Sequence, residues 1–226
     1  MSDFKEAAKI WAVRHPEVVA YTTKLVERGV NAAVFSSVIR AIAGIAIDAP
    51  PYRQGDVDLL IVRRQLTTAA ALLPAIATDE YKSVKVHSTD GIQLRFAARE
   101  VTGVAGDDEV QFVAPYTPLV SPGRRYKTNY TPYDHIESSI IETDQGLLPV
   151  AHAAYTVGMY GILQRPKGDA DKLAVVLAGT DVLDDPYTPV CAERMGWDDR
   201  VWEFVAAAGE QATAQAFDDM PVPRIV

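Results

Sequence analysis

Gly55-Asp56-Val57-Asp58-Leu59-Leu60-Ile61-Val62 decides how this chain folds. The loop before it, Asp48 to Gly55, contains Pro50 and Pro51, and adjacent prolines let no regular element through. The run itself is short, apolar and β-branched, so it predicts a buried strand from Asp56 to Val62. Alternate side chains of a strand share a face, which sets Asp56 and Asp58 on one side and Val57, Leu59 and Ile61 on the other. Two carboxylates held this close repel and resist ionisation. A divalent cation removes that conflict, and Mg²⁺ favours oxygen ligands with room left for phosphates. The same two residues also read as loop caps or surface charges at a strand start.

Upstream, three helices are expected: Phe4 to Arg14, Pro16 to Arg28 and Val34 to Ile45. Pro16 suits a first turn and Gly29 stands just past an end. Downstream, Leu66 to Ala77 reads as an alanine-rich helix. Ser83 to Ser88 and Ile92 to Ala98 are strand-like runs around Thr89-Asp90-Gly91, a hairpin signal. Glu109 to Ala114 is a further short strand that opens on an acid. Glu109 is favoured over Asp107 and Asp108 because Val110 and Phe112 alternate with it; an acidic turn before a strand is the other reading.

After Pro115 the chain reads as irregular, punctuated by Pro118, Pro122 and Pro132. Helices are then expected over Pro149 to Gln164, Asp169 to Leu177, Pro189 to Met195 and Asp198 to Phe217. The fold class that follows is α/β (α+β), a mixed sheet flanked by helices and followed by a helical part. The expected division is an α/β domain over residues 1–130 and a mainly helical domain over 131–226.

The 226 residues are 48% hydrophobic and 23% charged, ordinary globular values that exclude a wholly disordered chain. The formal charge of −8 disfavours a surface gripping long nucleic acid. The single cysteine, Cys191, permits no intrachain disulfide and reads as a packed thiol. The first residues lack a signal-peptide pattern, and the most apolar stretch, Ala32 to Ala49, is interrupted by polar residues. A cytoplasmic protein that does not cross a membrane is the expectation. The four histidines show no zinc spacing, and neither a phosphate-binding P-loop nor a G-x-S-x-G elbow is present. Arg124, Arg125 and Lys127 lie among tyrosines and could bind a nucleotide or form a solvated loop.

Ser36 and Ser37 open a helix-like segment ahead of the acidic strand, where they could cap the helix or hold phosphate. A Ser-bearing helix, then Gly-Asp-x-Asp on a strand, then one acid on a later strand resembles the nucleotidyltransferase superfamily of the polymerase-β-like fold. In look it is nearest to the minimal or toxin-type and aminoglycoside nucleotidyltransferases. The resemblance spans residues 30–178 loosely and is sharp only at Gly55-Asp56-Val57-Asp58. It implies Asp56, Asp58 and Glu109 as catalytic metal ligands for Mg²⁺ or Mn²⁺. It puts Ser36 and Ser37 where the family has a Gly-Ser pair that binds triphosphate. Arg53, Lys167 and Lys172 are the further candidates for contacting the nucleoside triphosphate. The implied activity moves a nucleoside monophosphate to a hydroxyl on a small molecule, a protein or an RNA 3′ end, releasing pyrophosphate. The alternative is a non-catalytic binding or regulatory module on the same scaffold.

Overall fold

The computed structural model describes residues 2–50, 56–65, 68–69, 72, 84–89, 91–97, 109–113, 119–121, 124–126, 135–166 and 168–218. Helices α1 (Ser2–Arg14) and α2 (Pro16–Glu27) open the chain. The stop of α2 follows from Gly29, which takes φ 66°. The Gly29 amide donates to the Val26 carbonyl and the Val30 amide to that of Leu25, the paired bonds of a Schellman stop. Buried Leu25 and Val30 seal it from within.

The next segment departs from expectation. Residues 32–35 are not the first turn of a helix but a strand, β1 (Ala32–Phe35), and the helix α3 begins only at Ser37 (Ser37–Ala46). All four residues of β1 are buried. A strand covered on both faces has no alternating pattern, so its apolar run is indistinguishable from a buried helical turn. The true helical stripe is Val38, Ile39, Ile42 and Ala43.

Strand β2 (Asp56–Ile61) runs antiparallel to β1, with Phe35 opposite Asp58 and Ala32 opposite Ile61. The expected hairpin is present as β3 (Val84–Thr89) and β4 (Gly91–Ala97). Strand β5 (Glu109–Val113) pairs antiparallel with β4 and parallel with β2. The stretch expected to be irregular carries a small separate hairpin, β6 (Leu119–Ser121) and β7 (Arg124–Tyr126). Of the helix expected over residues 66–77, residues 68–69 are helical and most of the rest lies outside the described residues.

A second correction concerns residues 138–151. They form β8 (Ser138–Thr143) and β9 (Gly146–Ala151), and Pro149 belongs to a strand rather than opening a helix. Strand β9 adds parallel to β1 at Val34 and Val150, giving a seven-stranded sheet of order β3-β4-β5-β2-β1-β9-β8. The helices that follow are α4 (Ala153–Leu163), α5 (Asp169–Ala178), α6 (Tyr187–Met195) and α7 (Asp199–Asp218). Ala154 to Leu163 are all buried, so α4 is a core helix apolar on every side.

The expected division at residue 130 therefore does not separate two cores. The β8–β9 hairpin belongs to the sheet, and one buried cluster runs from Trp11, Phe35 and Leu59 to Tyr155, Leu173 and Val201. Among the described residues, no helix is long and apolar enough to cross a membrane.

Helices α3 and α5 touch at their backbones. A Cβ added at Gly179 would lie 2.5 Å from the carbonyl oxygen of Ala43 and 2.7 Å from its Cα. Backbone cannot swing aside as a side chain does, so Gly179→Ala is expected to cost about 1–3 kcal/mol. Thermal unfolding should fall by roughly 2–4 °C per kcal/mol at this chain length. An unchanged melting temperature would show that the two helices are not in backbone contact.

Candidate functional site

Three strand ends converge at one end of the sheet. Because β1 and β2 are antiparallel, the last residue of β1 lies beside the start of β2; because β2 and β5 are parallel, both begin there. The register sets Asp56 directly beside Glu109 and Asp58 beside Gln111. Neighbouring strands are about 4.8 Å apart, so positions 56, 58 and 109 form a tight triangle in the same phase of the pleat. Asp58 is 9% exposed, between Val57 and Leu59, which are fully buried. Asp107 and Asp108 lie outside the described residues, as do Arg53 and Lys167.

The turn from β1 into α3 is strained. Ser36 takes φ 57° and ψ −115°, the region of the first central residue of a type II′ turn, where glycine is usual. Its amide donates to the Thr156 hydroxyl at 2.9 Å, and its carbonyl accepts from the Arg40 amide at 3.1 Å. The Ser36 side chain makes no capping hydrogen bond, so the capping reading does not hold for this residue. Ser36 and Ser37 are both buried, and the amino end of α3 starts beside the strand that carries Asp58.

The amino end of α5 supplies cations. The chain leaves α4 through Gln164 at φ 43° and enters α5 through Gly168 at φ 86°. Asp169, fully buried, accepts from the Arg165 amide at 2.9 Å and from Arg165 Nε at 3.0 and 3.2 Å. Lys172 Nζ lies 3.5 Å from the same carboxylate and 5.8 Å from the centre of the Tyr160 ring. Partial burial pulls the Arg165 pKa down, but Asp169, then Tyr160 and Asp58, more than offset it, so the net shift is upward. The guanidinium therefore lies in the field of Asp58, far away in sequence. Sequence reading missed Asp169 as the anchor of this cluster. The signal was the spacing: residues four and three apart on a helix are neighbours.

Cys191 and His152 make structural contacts. Burial pushes the Cys191 thiol up to about 12, and its Sγ lies 3.6 Å from Met195 Sδ, as a packed thiol should. His152 has both ring nitrogens engaged: Nδ1 accepts from the Ala154 amide at 3.2 Å, and Nε2 lies 3.1 Å from Asp185 Oδ1. Among the described side chains, which do not include those of Asp56 and Glu109, no group of three or more His, Cys, Asp or Glu is arranged to hold a metal ion. A cavity of about 290 Å³ lies elsewhere, lined by the ends of α3 and α5 and by the β8–β9 hairpin, and includes none of the candidates above.

Fold and site together define a mixed-sheet α/β protein with acids gathered at one sheet end. No family model matches the chain, and no curated protein matches its sequence. Among solved structures it is similar to an antigenic nucleotidyltransferase-like protein from Paracoccidioides brasiliensis, at 12% identity and a TM-score of 0.48, over 96% of this chain and 92% of that one.

Two measurements test this geometry. Ser36→Gly relieves a conformation that costs a non-glycine residue about 1–3 kcal/mol, partly offset by the flexibility glycine gains when unfolded. Chemical denaturation should find it about 1 kcal/mol more stable than the parent. A loss of stability would mean that the Ser36 hydroxyl matters more than its backbone strain. Asp169→Ala leaves two cations without their buried partner and should cost about 3 kcal/mol. A cost near zero would show that Arg165 and Lys172 are not held by that carboxylate.

Proposed function

We propose that the chain is a metal-dependent nucleotidyltransferase that moves a nucleoside monophosphate from a nucleoside triphosphate to a hydroxyl acceptor and releases pyrophosphate. The observation carrying this reading is the register of Asp56 beside Glu109 with Asp58 two residues along. That donor set is all carboxylate oxygen, which fits a hard cation such as Mg²⁺ or Mn²⁺. Asp56 and Asp58 would hold two such ions, with Glu109 completing the catalytic one. Bound there, the metal would polarise the α-phosphate and neutralise the leaving pyrophosphate.

The chain's own groups do the rest in this reading. The amino end of α3 would favour phosphate oxygens through its partial positive charge, with the Ser36 amide itself already given to the Thr156 hydroxyl. Arg165 and Lys172, steadied by Asp169, meet the charge of the β- and γ-phosphates; Lys167 and Arg53 are the further candidates for that role. Glu109 would take the proton of the acceptor hydroxyl as it attacks in line. The acceptor would be a small molecule, a protein side chain or an RNA 3′ end.

The test is label transfer from each of the four α-³²P-labelled triphosphates, with Mg²⁺, to added acceptors and to the protein itself. Asp58→Asn should lower transfer by about 10³-fold, or roughly 4 kcal/mol of barrier. Lys172→Met should raise the KM for triphosphate by about tenfold while leaving kcat nearer its parent value. Triphosphate binding without transfer would instead establish the non-catalytic binding module. Absence of any triphosphate binding in calorimetry would refute the transferase reading and favour the non-catalytic regulatory module.

A further inference from the structure

We infer that the cavity of about 290 Å³ is a second ligand site, built for a small organic ammonium ion with an apolar body. Its size stands at the lower end of ligand pockets, which suits one ring or a short alkyl chain. Ile47, Ile141 and Val150 are among the apolar residues lining it.

The charge of the lining selects a cation. Asp3, Glu137, Asp181 and Asp185 line the cavity, against Lys5 and His152, the latter 3.1 Å from Asp185. The Tyr187 amide, which donates to Asp185 at 2.8 Å, outweighs desolvation and, together with His152, holds the Asp185 carboxyl below the usual range. The backbone adds to this. Helices α3 and α5 both end at the cavity, at Ala46 and Ala178, and neither has a basic residue in its last turn. Helix carboxyl ends carry partial negative charge and favour cations. Two helix amino ends also border the cavity, and both are already answered. Asp3 stands in the first turn of α1, and His152 Nδ1 takes the Ala154 amide at the start of α4. An anion would therefore meet four carboxylates and two helix carbonyl ends.

This inference is independent of the proposed transferase reaction. Calorimetry of the full chain with benzylammonium, benzyl alcohol and benzoate tests it. Benzylammonium should bind at one site per chain, benzyl alcohol about tenfold more weakly, and benzoate not measurably. Ala178→Phe, at an exposed position on the last turn of α5, should fill the cavity and abolish binding while leaving the melting temperature near that of the parent. Glu137→Gln with Asp181→Asn should weaken benzylammonium about tenfold and leave benzyl alcohol unchanged. Asp58→Asn should not alter amine binding, whatever it does to transfer. The inference is overturned if no amine binds, if the alcohol or benzoate binds as tightly as the amine, or if Ala178→Phe binds like the parent.

Discussion

Burying the Asp58 carboxylate is the constraint to which the surrounding structure answers. Its neighbours Val57 and Leu59 are fully out of water, and Phe35 stands opposite it on β1. Taking an ionised carboxylate out of water costs several kcal/mol unless opposite charge meets it. Part of the answer is the field of Arg165, carried on the link between α4 and α5. Arg165 is itself fixed by Asp169, and Asp169 by Lys172 as well. Charges of alternating sign thus run from the middle of the sheet to the start of α5.

The same helix that leads to Arg165 also fixes the turn on the other side of Asp58. Thr156 holds the Ser36 amide in a conformation that serine avoids. Strain of this kind persists only where packing over-determines it, and α4 is buried along nearly its whole length. Helix α4 therefore sets two things at once, the direction in which α3 leaves the sheet and the position from which Arg165 reaches back. This is also why residues 131–226 do not form a unit apart: their first two strands extend the sheet and their first helix braces its centre.

Much of this was legible in the residues. The acidic strand, the Asp-Gly hairpin and the glycine stop of α2 each carry a local signal that tertiary structure left intact. The failures share a cause. Ala32-Ala33-Val34-Phe35 and the Gly146–Ala151 strand are covered on both sides, so neither shows the alternation that marks a half-exposed strand. Pro149 reads as a helix start, yet its missing N–H is tolerated in β9, whose ladder with β1 is registered only at Val34 and Val150. The neighbourhood of Asp58, Ser36 and Asp169 joins positions that only the folded sheet brings together. The cavity is less legible still, because four helices and two strands distant in sequence line it.

The direction of α3 and α5 ties the two ends of the molecule together. Each helix has ten residues, about 15 Å of rise. Both begin by the Asp58 end of the sheet, at Ser37 and Asp169, and both end at the cavity, at Ala46 and Ala178. Their N–H ends therefore face the place where phosphate charge is proposed to sit, and their carbonyl ends face the acidic cavity. Reversing either helix would turn its negative end toward the proposed phosphate and its positive end toward the proposed ammonium ion. The close contact of Gly179 with the Ala43 backbone locks the pair in this common direction, so the packing that stabilises the fold also fixes the sign of the field at each end.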